Sequence, residues 1–298
     1  MKNRKFILIL IMFIFTSFVL ETREVYSFDK GKDKNNKVDN ILLIGEDDKG
    51  ETGVARSDTM IILTINKSSK SIKLTSLTRD TLVMIPNKGY EKLNHAYAYG
   101  GPKLLLKTIN DNFDIDIKDY AVVDFKSFIE IVDILDGVDI SIDEREINHL
   151  NKVIETCYRL DSAKKGNIEY ISTTGEHTLN GYQALAYARI RKIDTIYNRD
   201  QRQREILSSI AHKLSNTSIK TYPAIAKSLI KHVKVNISID KIMKLAYIAH
   251  DFAGYDIEQM EFPKKEYRSE GKIKENGMFV IKWDKQKNIS DLKKFIYE

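Results

Sequence analysis

The chain of 298 residues contains one cysteine, Cys157. A single thiol excludes an internal disulfide, and no Cys-x-x-Cys pair or Cys/His zinc spacing accompanies it. Cys157 therefore reads as an inert core residue. Three common catalytic signatures are also missing. There is no Gly-x-Ser-x-Gly elbow, no Walker phosphate loop and no His-Glu-x-x-His pair, so those routes to hydrolysis, nucleotide binding and zinc catalysis are not read here. The four prolines are too sparse to mark an internal linker, and no internal repeat is present. Aromatic and basic residues do not interleave in an ordered RNA-binding motif, so nucleic acid is not an expected partner.

What is present begins at the N-terminus. Lys2, Arg4 and Lys5 precede an uncharged apolar run from Phe6 to Leu20. The run is shorter than the ~20 residues of a typical spanning helix, and it equally fits the apolar region of a signal peptide. No small-residue cleavage site follows, which favours an uncleaved anchor. The basic flank places residues 1–5 in the cytoplasm and residues 40–298 outside the membrane. Residues 21–39 form a polar linker, nearly all charged or amide from Asp29 onward. The formal net charge of +6 is consistent with an anionic partner, whether phosphate, nucleic acid or acidic lipid, without choosing among them.

Short apolar runs at 40–45, 59–65, 71–77, 120–125, 137–142 and 278–283 read as strands. The polar turn after Ile65 joins 59–77 into a hairpin. Helical spacing predicts helices over 102–112, 126–135, 180–190, 200–214, 221–233, 239–252 and 289–297. Strands and helices alternate throughout, which predicts one α/β domain over 40–298 with helices on both faces of a mixed central sheet, an α-β-α sandwich.

Charged side chains at strand ends are the candidates for chemistry. Asp47 follows the first strand and Asp58 precedes the second, so a turn between them folds both carboxylates to one edge. Such a pair with substrate phosphate oxygens suits magnesium, but an acidic loop is also an ordinary solvated turn. Arg79 follows the third strand, where open sheets place ligands. It reads either as a phosphate fork or as a partner for Asp80. With a helix beginning near Arg199, its apolar stripe is Ile206, Leu207, Ile210 and Leu214. Stepping back by turns brings Gln203 and then Arg199 onto the inward face. A buried arginine needs a fixed opposite charge. Arg189 and Arg191 enter the same region, and with Arg79 four arginines are expected to converge on one strand-end edge, more than Asp194 and Asp200 neutralise. His95 is a candidate base, although a packed or surface histidine is the ordinary reading. His177 reads as a helix-entry residue.

Seven segments in order, NILLIGED, RSDTMIILTIN, SLTRDTLVMIP, KLNHAYAYGG, VVDFKSFIEIVDILDGVDI, GEHTLNGYQALAYARIRK and RDQRQREIL, span residue 40 to about residue 210. Together they resemble the LytR-CpsA-Psr family of cell-wall glycopolymer ligases. The resemblance implies a phosphotransferase. It would move a teichoic acid or capsular polysaccharide from undecaprenyl pyrophosphate to a peptidoglycan hydroxyl, with Mg2+ as cofactor and Mn2+ as an alternative. The implied partners are the polyprenyl-pyrophosphate glycan donor, the peptidoglycan acceptor and the membrane. The implied metal residues are Asp47 and Asp58. Arg79, Arg189, Arg191, Arg199 and Gln203 form the implied pyrophosphate set, with Lys92 and Arg56 at motif positions of less defined role. Among these, Asp47, Asp58, Arg79, Arg189 and Arg191 are the expected catalytic residues. An apolar cavity for the lipid tail is also implied, with Phe125 and Phe128 as candidate lining. Two positions depart from the family pattern. Thr78 stands where proline is usual, and Asn198-Arg199 where Gly-Arg is common; neither removes a charge. A lipid pyrophosphatase and a non-catalytic polyprenyl-phosphate-binding regulator remain alternatives. Asp194 is the candidate for the base that activates the acceptor.

Overall fold

Three consecutive apolar segments pair as an antiparallel meander: β1 (Val38–Glu46), β2 (Ser57–Asn66) and β3 (Ser71–Leu77). The computed structural model describes residues 38–47, 55–161, 166–190, 196–216, 230–238, 241, 255–273 and 277–298. The helices expected over 221–233 and 239–252 fall largely outside this set. The segment 6–20, expected as an anchor, lies wholly outside it. Among the described residues no helix is long and apolar enough to cross a membrane.

The chain divides into two compact units. The first contains the meander together with β4 (Leu82–Ile85), β5 (Gly89–Lys92), helix α1 (Leu93–Phe113) and β6 (Asp119–Asp124). From later in the chain come β9 (Lys234–Val235), β10 (Asp256–Phe262), β11 (Arg268–Lys272), β12 (Phe279–Trp283) and helix α6 (Lys285–Tyr297). Its six-stranded sheet has the order β10-β3-β2-β1-β6-β9. The sheet is mixed, because β10 runs parallel to β3 while β1–β2, β2–β3 and β6–β9 are antiparallel. The expected α/β class with a mixed central sheet is therefore correct. Period-two alternation gives each strand two apolar faces. Leu42, Ile44, Met60 and Ile62 face a core with Leu105, Ile109 and Phe113 of α1 and with Leu292 and Ile296 of α6. Ile41, Ile61, Leu63, Ile65, Ile72 and Leu74 point the other way and are equally buried. Phe113, Phe262 and Trp283 interlock at ring separations of 4.5–5.5 Å.

Sequence periodicity begins α1 too late. It starts at Leu93, and the run breaks in the middle at Gly100 and Gly101. Gly101 has φ +62°, which a side chain disfavours, and Pro102 follows. These two breakers conceal the first two turns from a period-based reading. Strands β4, β5, β9, β10 and β11 are not anticipated either, nor are the helix at 144–160 and the strand at 175–179. β9 is only two residues long, and β4–β5 is a hairpin of four-residue strands.

The second unit is mostly helical. It holds α2 (Phe125–Ile134), β7 (Val138–Ile142), α3 (Glu144–Leu160), β8 (Gly175–Leu179), α4 (Gly181–Arg189) and α5 (Ile196–Asn216), around a core that includes Val132, Leu150, Leu179, Leu185 and Ile206. Phe125, expected as the last strand residue, instead opens α2, because the Asp124 side chain caps that helix through the Ser127 N–H. His177 lies in strand β8 rather than at a helix entry. The helix that follows is capped by a reciprocal Asn180–Gln183 box.

Helix α4 starts at a glycine because α2 leaves no room for anything larger. A Cβ on Gly181 would lie 2.6 Å from the Ile129 carbonyl oxygen, and the Gly181 N–H donates to Asp133 at 2.7 Å. Gly181→Ala is expected to lower unfolding free energy by about 1–3 kcal/mol through overpacking. Chemical denaturation checks this, and a variant as stable as the wild type would show that α2 yields freely.

Candidate active site

In the first unit, the turn after β3 is fixed before any side chain is considered. The Thr78 N–H donates to the Phe262 carbonyl at 2.9 Å, and the Thr81 N–H and hydroxyl both donate to the Thr78 carbonyl, at 3.1 and 2.6 Å. Helix α1 has no side-chain N-cap. Instead, the Leu93 N–H donates to the Thr81 carbonyl at 2.9 Å and the Asn94 N–H to the Arg79 carbonyl at 3.2 Å. The turn thus satisfies two of the donors that a helix start leaves open, and the two elements hold each other in place.

This scaffold carries a run of alternating charge. Arg79 donates from Nη1 to Asp58 Oδ1 at 2.6 Å, and its Nε lies 3.6 Å from Asp80 Oδ2. Lys92 Nζ, at the end of β5, is 2.7 Å from Asp80 Oδ1. All four groups are largely withdrawn from solvent: Arg79 and Lys92 are 22% and 20% exposed, Asp58 and Asp80 12% and 7%. At that depth each charge depends on its neighbours. Two polar atoms nearby, Thr78 Oγ1 and Asn94 Oδ1, are buried without a hydrogen-bond partner among the described residues.

Asp47 and Arg56 belong to the same end of the β1–β2 pair. A register shift between Gly45 and Glu46 sets Glu46 opposite Ser57, and the Asp47 N–H then donates to the Arg56 carbonyl at 2.8 Å. Asp47 is half-buried, and Arg56 is exposed. The expected folding of the Asp47 and Asp58 segments to one edge is therefore met in the backbone register. Most of the loop between them, 48–54, lies outside the described residues.

The same edge carries a second group of polar side chains. Glu91 of β5 accepts at one oxygen from His95 Nδ1 at 2.6 Å and from the Tyr99 hydroxyl at 2.8 Å. Burial alone would raise the Glu91 carboxyl. The two hydrogen bonds and the charges of His95 and Lys88 outweigh it and hold the group below its ordinary range. Glu91 pushes the Tyr99 phenol up, chiefly through its hydrogen bond, while the charge of Arg56 opposes this.

In the second unit, Arg189 ends α4 with its guanidinium 4.3 Å above the Phe125 ring and Nη1 3.6 Å from Cys157 Sγ. Burial pushes the Cys157 thiol up despite that charge, in keeping with an inert core residue. Phe125 and Phe128 are both partly buried against the core. On α5, Arg199 is 3% exposed, as the stripe reading expected, and Nη2 is 3.6 Å from Asp200 Oδ1. Gln203 is only half-buried and donates weakly to the Ala188 carbonyl at 3.5 Å. Arg191, Asp194 and the side chain of Leu214 lie outside the described residues.

The sequence reading overlooked Arg202, which is 4% exposed. It donates from Nε to Glu146 at 2.8 Å and from Nη1 to the Ile190 carbonyl at 3.4 Å. Its place was legible: it lies three residues after Arg199 and four before Ile206, on the same stripe. Glu146 does double duty, because its other oxygen accepts the Asp143 N–H in the capping box of α3. Asp80 was read only as a rival explanation for Arg79, yet it bridges Arg79 and Lys92.

The LytR_cpsA_psr family model matches residues 16–294. The chain belongs to the LytR-CpsA-Psr family. It is 35% identical over 250 residues to the polyisoprenyl-teichoic acid–peptidoglycan teichoic acid transferase TagT of Bacillus subtilis, covering 79% of this chain and 73% of that one. It is similar to a solved structure of TagT bound to LIIa-WTA, with TM-score 0.68, 29% identity, and 92% of this chain and 93% of that chain covered. A TagT structure with bound octaprenyl pyrophosphate lipid matches at TM-score 0.62 and 28% identity, covering 92% of each chain.

The Arg202–Glu146 pair gives a stability prediction for this family member. Arg202→Met leaves a buried carboxylate without its cation and is expected to cost about 3–5 kcal/mol. Adding Glu146→Gln, which removes the charge but retains a capping acceptor, is expected to return part of that loss. Thermal denaturation of both variants checks it. A double variant no more stable than the single one would show that the pair's charge is not what holds α3 to α5.

Proposed function

We propose that this chain is an extracytoplasmic phosphotransferase that moves a glycopolymer of teichoic acid or capsular type from a polyprenyl pyrophosphate to a peptidoglycan hydroxyl. The observation that carries the reading is the Asp58–Arg79–Asp80–Lys92 cluster at one strand end, in a chain whose relatives are teichoic acid transferases. The apolar segment 6–20 serves as a single-pass anchor that keeps residues 40–298 beside a lipid-borne donor.

Phosphoryl transfer needs positioning and charge neutralisation more than covalent chemistry from the protein. Arg79 offers a planar fork to phosphate oxygens. Lys92 adds a point charge, and Asp80 holds both cations in place before substrate arrives. By family resemblance, Arg189, Arg191, Arg199 and Gln203 join the donor-binding set, Arg56 lies at its margin, and Phe125 and Phe128 line the lipid path. Asp47 and Asp58 suit Mg2+ or Mn2+, because such an ion takes one or two carboxylates and fills its remaining positions with phosphate oxygens and water. Bound there, the ion would neutralise pyrophosphate charge and so ease departure of the lipid phosphate. In the transfer step the acceptor oxygen bonds to the polymer-linked phosphorus. The bond from that phosphorus to the bridging oxygen breaks, and polyprenyl monophosphate leaves with the electron pair. Arg79 stabilises the charge that develops there.

The assay that tests this uses a polyprenyl-pyrophosphate glycan, peptidoglycan fragments and a titration of magnesium. The wild type is expected to yield the polymer–peptidoglycan phosphodiester. Asp47→Asn and Asp58→Asn are each expected to lose at least tenfold in rate and to weaken magnesium dependence. The double variant should be little worse than the poorer single one, because both carboxylates serve one ion. Free polymer phosphate in place of the diester would identify a pyrophosphatase. Full activity in chelator, or strictly additive losses, would remove the shared metal.

A further inference from the structure

We propose that His95 is the general base that takes the proton from the acceptor hydroxyl, with Glu91 as its positioning residue; this rests on the transferase reading above. His95 stands at the third residue of α1, where its Nδ1–H is held by Glu91 Oε2 at 2.6 Å. A carboxylate on Nδ1 sets the imidazole in the tautomer whose Nε2 carries the lone pair. Among the described residues Nε2 makes no hydrogen bond, and the side chain is 19% exposed. The Tyr99 hydroxyl donates to the same glutamate oxygen at 2.8 Å, and the His95 and Tyr99 rings meet edge to face at 6.1 Å. The carboxylate, and through it the imidazole, is therefore braced from both sides.

Three features place this dyad beside the phosphate-binding charges of its own unit. The residue before His95, Asn94, donates its N–H to the Arg79 carbonyl at 3.2 Å. Glu91 directly precedes Lys92, whose ammonium holds Asp80 at 2.7 Å. Arg56, which neighbours Asp58 in sequence, acts electrostatically on Tyr99. The groups around the dyad are thus Tyr99 from α1, Lys88 from the β4–β5 turn and, through Tyr99, Arg56 from just before β2. Lys88 sits 5.0 Å above the Tyr99 ring. The other charged side chains at this edge have other tasks: Asp58 and Asp80 accept from Arg79 and Lys92, Asp47 is assigned to the metal in the reading above, and the arginines and lysines are cations without a lone pair to offer. An imidazole oriented by a carboxylate is the group there with a free lone pair to receive the proton. The step balances. The hydroxyl proton passes to His95 Nε2 as the oxygen bonds to phosphorus, the bond to the bridging oxygen breaks, and the imidazolium gives its proton to solvent after polyprenyl phosphate departs.

Steady-state transfer by the full chain, followed from pH 5 to 9, tests the assignment. The wild-type rate should fall on the acidic side, where a protonated imidazole cannot accept. His95→Gln should lose about 100- to 10,000-fold and that acidic limb, with the KM for donor within about twofold of wild type. Added imidazole should restore part of the rate to His95→Ala. Glu91→Gln should lower kcat without moving donor KM. A His95→Gln enzyme with the wild-type rate and pH limb would overturn the proposal. So would kcat and donor affinity falling together without imidazole rescue. If His95→Gln does not fold, Glu91→Gln decides: unchanged kcat, or a loss carried by KM, would overturn it. A wild type that releases only free polymer phosphate would overturn the transferase reading as well, whereas a transferring wild type with unimpaired His95 variants would defeat the base assignment alone.

Discussion

A guanidinium cannot be withdrawn from water without an opposite charge, and this constraint organises the strand-end site. Arg79 is held by Asp58 at 2.6 Å and flanked by Asp80, which in turn holds Lys92. Two cations and two carboxylates balance, so the cluster is tolerable with no ligand bound. The same balance makes it responsive. In the proposed reaction an arriving pyrophosphate would compete with the carboxylates for the cations, and a divalent ion bound there would relieve the repulsion between those carboxylates and the phosphate.

The fold supplies rigidity where this exchange would otherwise loosen the chain. Backbone hydrogen bonds lock the turn at residues 78–81 to β10 and to the start of α1. Strands β1, β2 and β3 beneath it are largely buried on both faces. The first turn of α1 is therefore set by the residues that carry Arg79, and His95 and Asn94 inherit their positions from it. In the second unit the same rule recurs in a purely structural form, where Arg202 finds Glu146, a carboxylate that already caps α3. Burial of an arginine is thus not enough to assign a ligand. Arg202 is held by Glu146, and Arg199 lies 3.6 Å from Asp200.

Much of this was legible in the residues. Apolar runs placed β1, β2 and β3 closely, and strand ends located Asp47 and Arg79, whereas Asp58, expected before the second strand, is the second residue of β2. Helical arithmetic put Arg199 on a buried stripe but passed over Arg202, which satisfies the same spacing. The same stepping by turns put Gln203 on the inward face as well, where it is only half-buried. The start of α1 was hidden by Gly100, Gly101 and Pro102, which break the pattern without ending the element. The partnership of Glu91 with His95 is a four-residue spacing across a strand–helix junction. Helical periodicity does not anticipate it, because Glu91 lies before the helix begins.

The central claim is that the Asp58–Arg79 pair exchanges partners when a pyrophosphate binds. Equilibrium binding of a polyprenyl pyrophosphate to the wild type and to Asp58→Asn, each with and without magnesium, tests it most directly. Magnesium should tighten binding to the wild type. It should have little effect on Asp58→Asn, and that variant should bind the metal-free ligand more tightly than the wild type does, because a repelling carboxylate has been removed. Wild-type affinity indifferent to magnesium, or metal-free binding weakened by Asp58→Asn, would contradict the account.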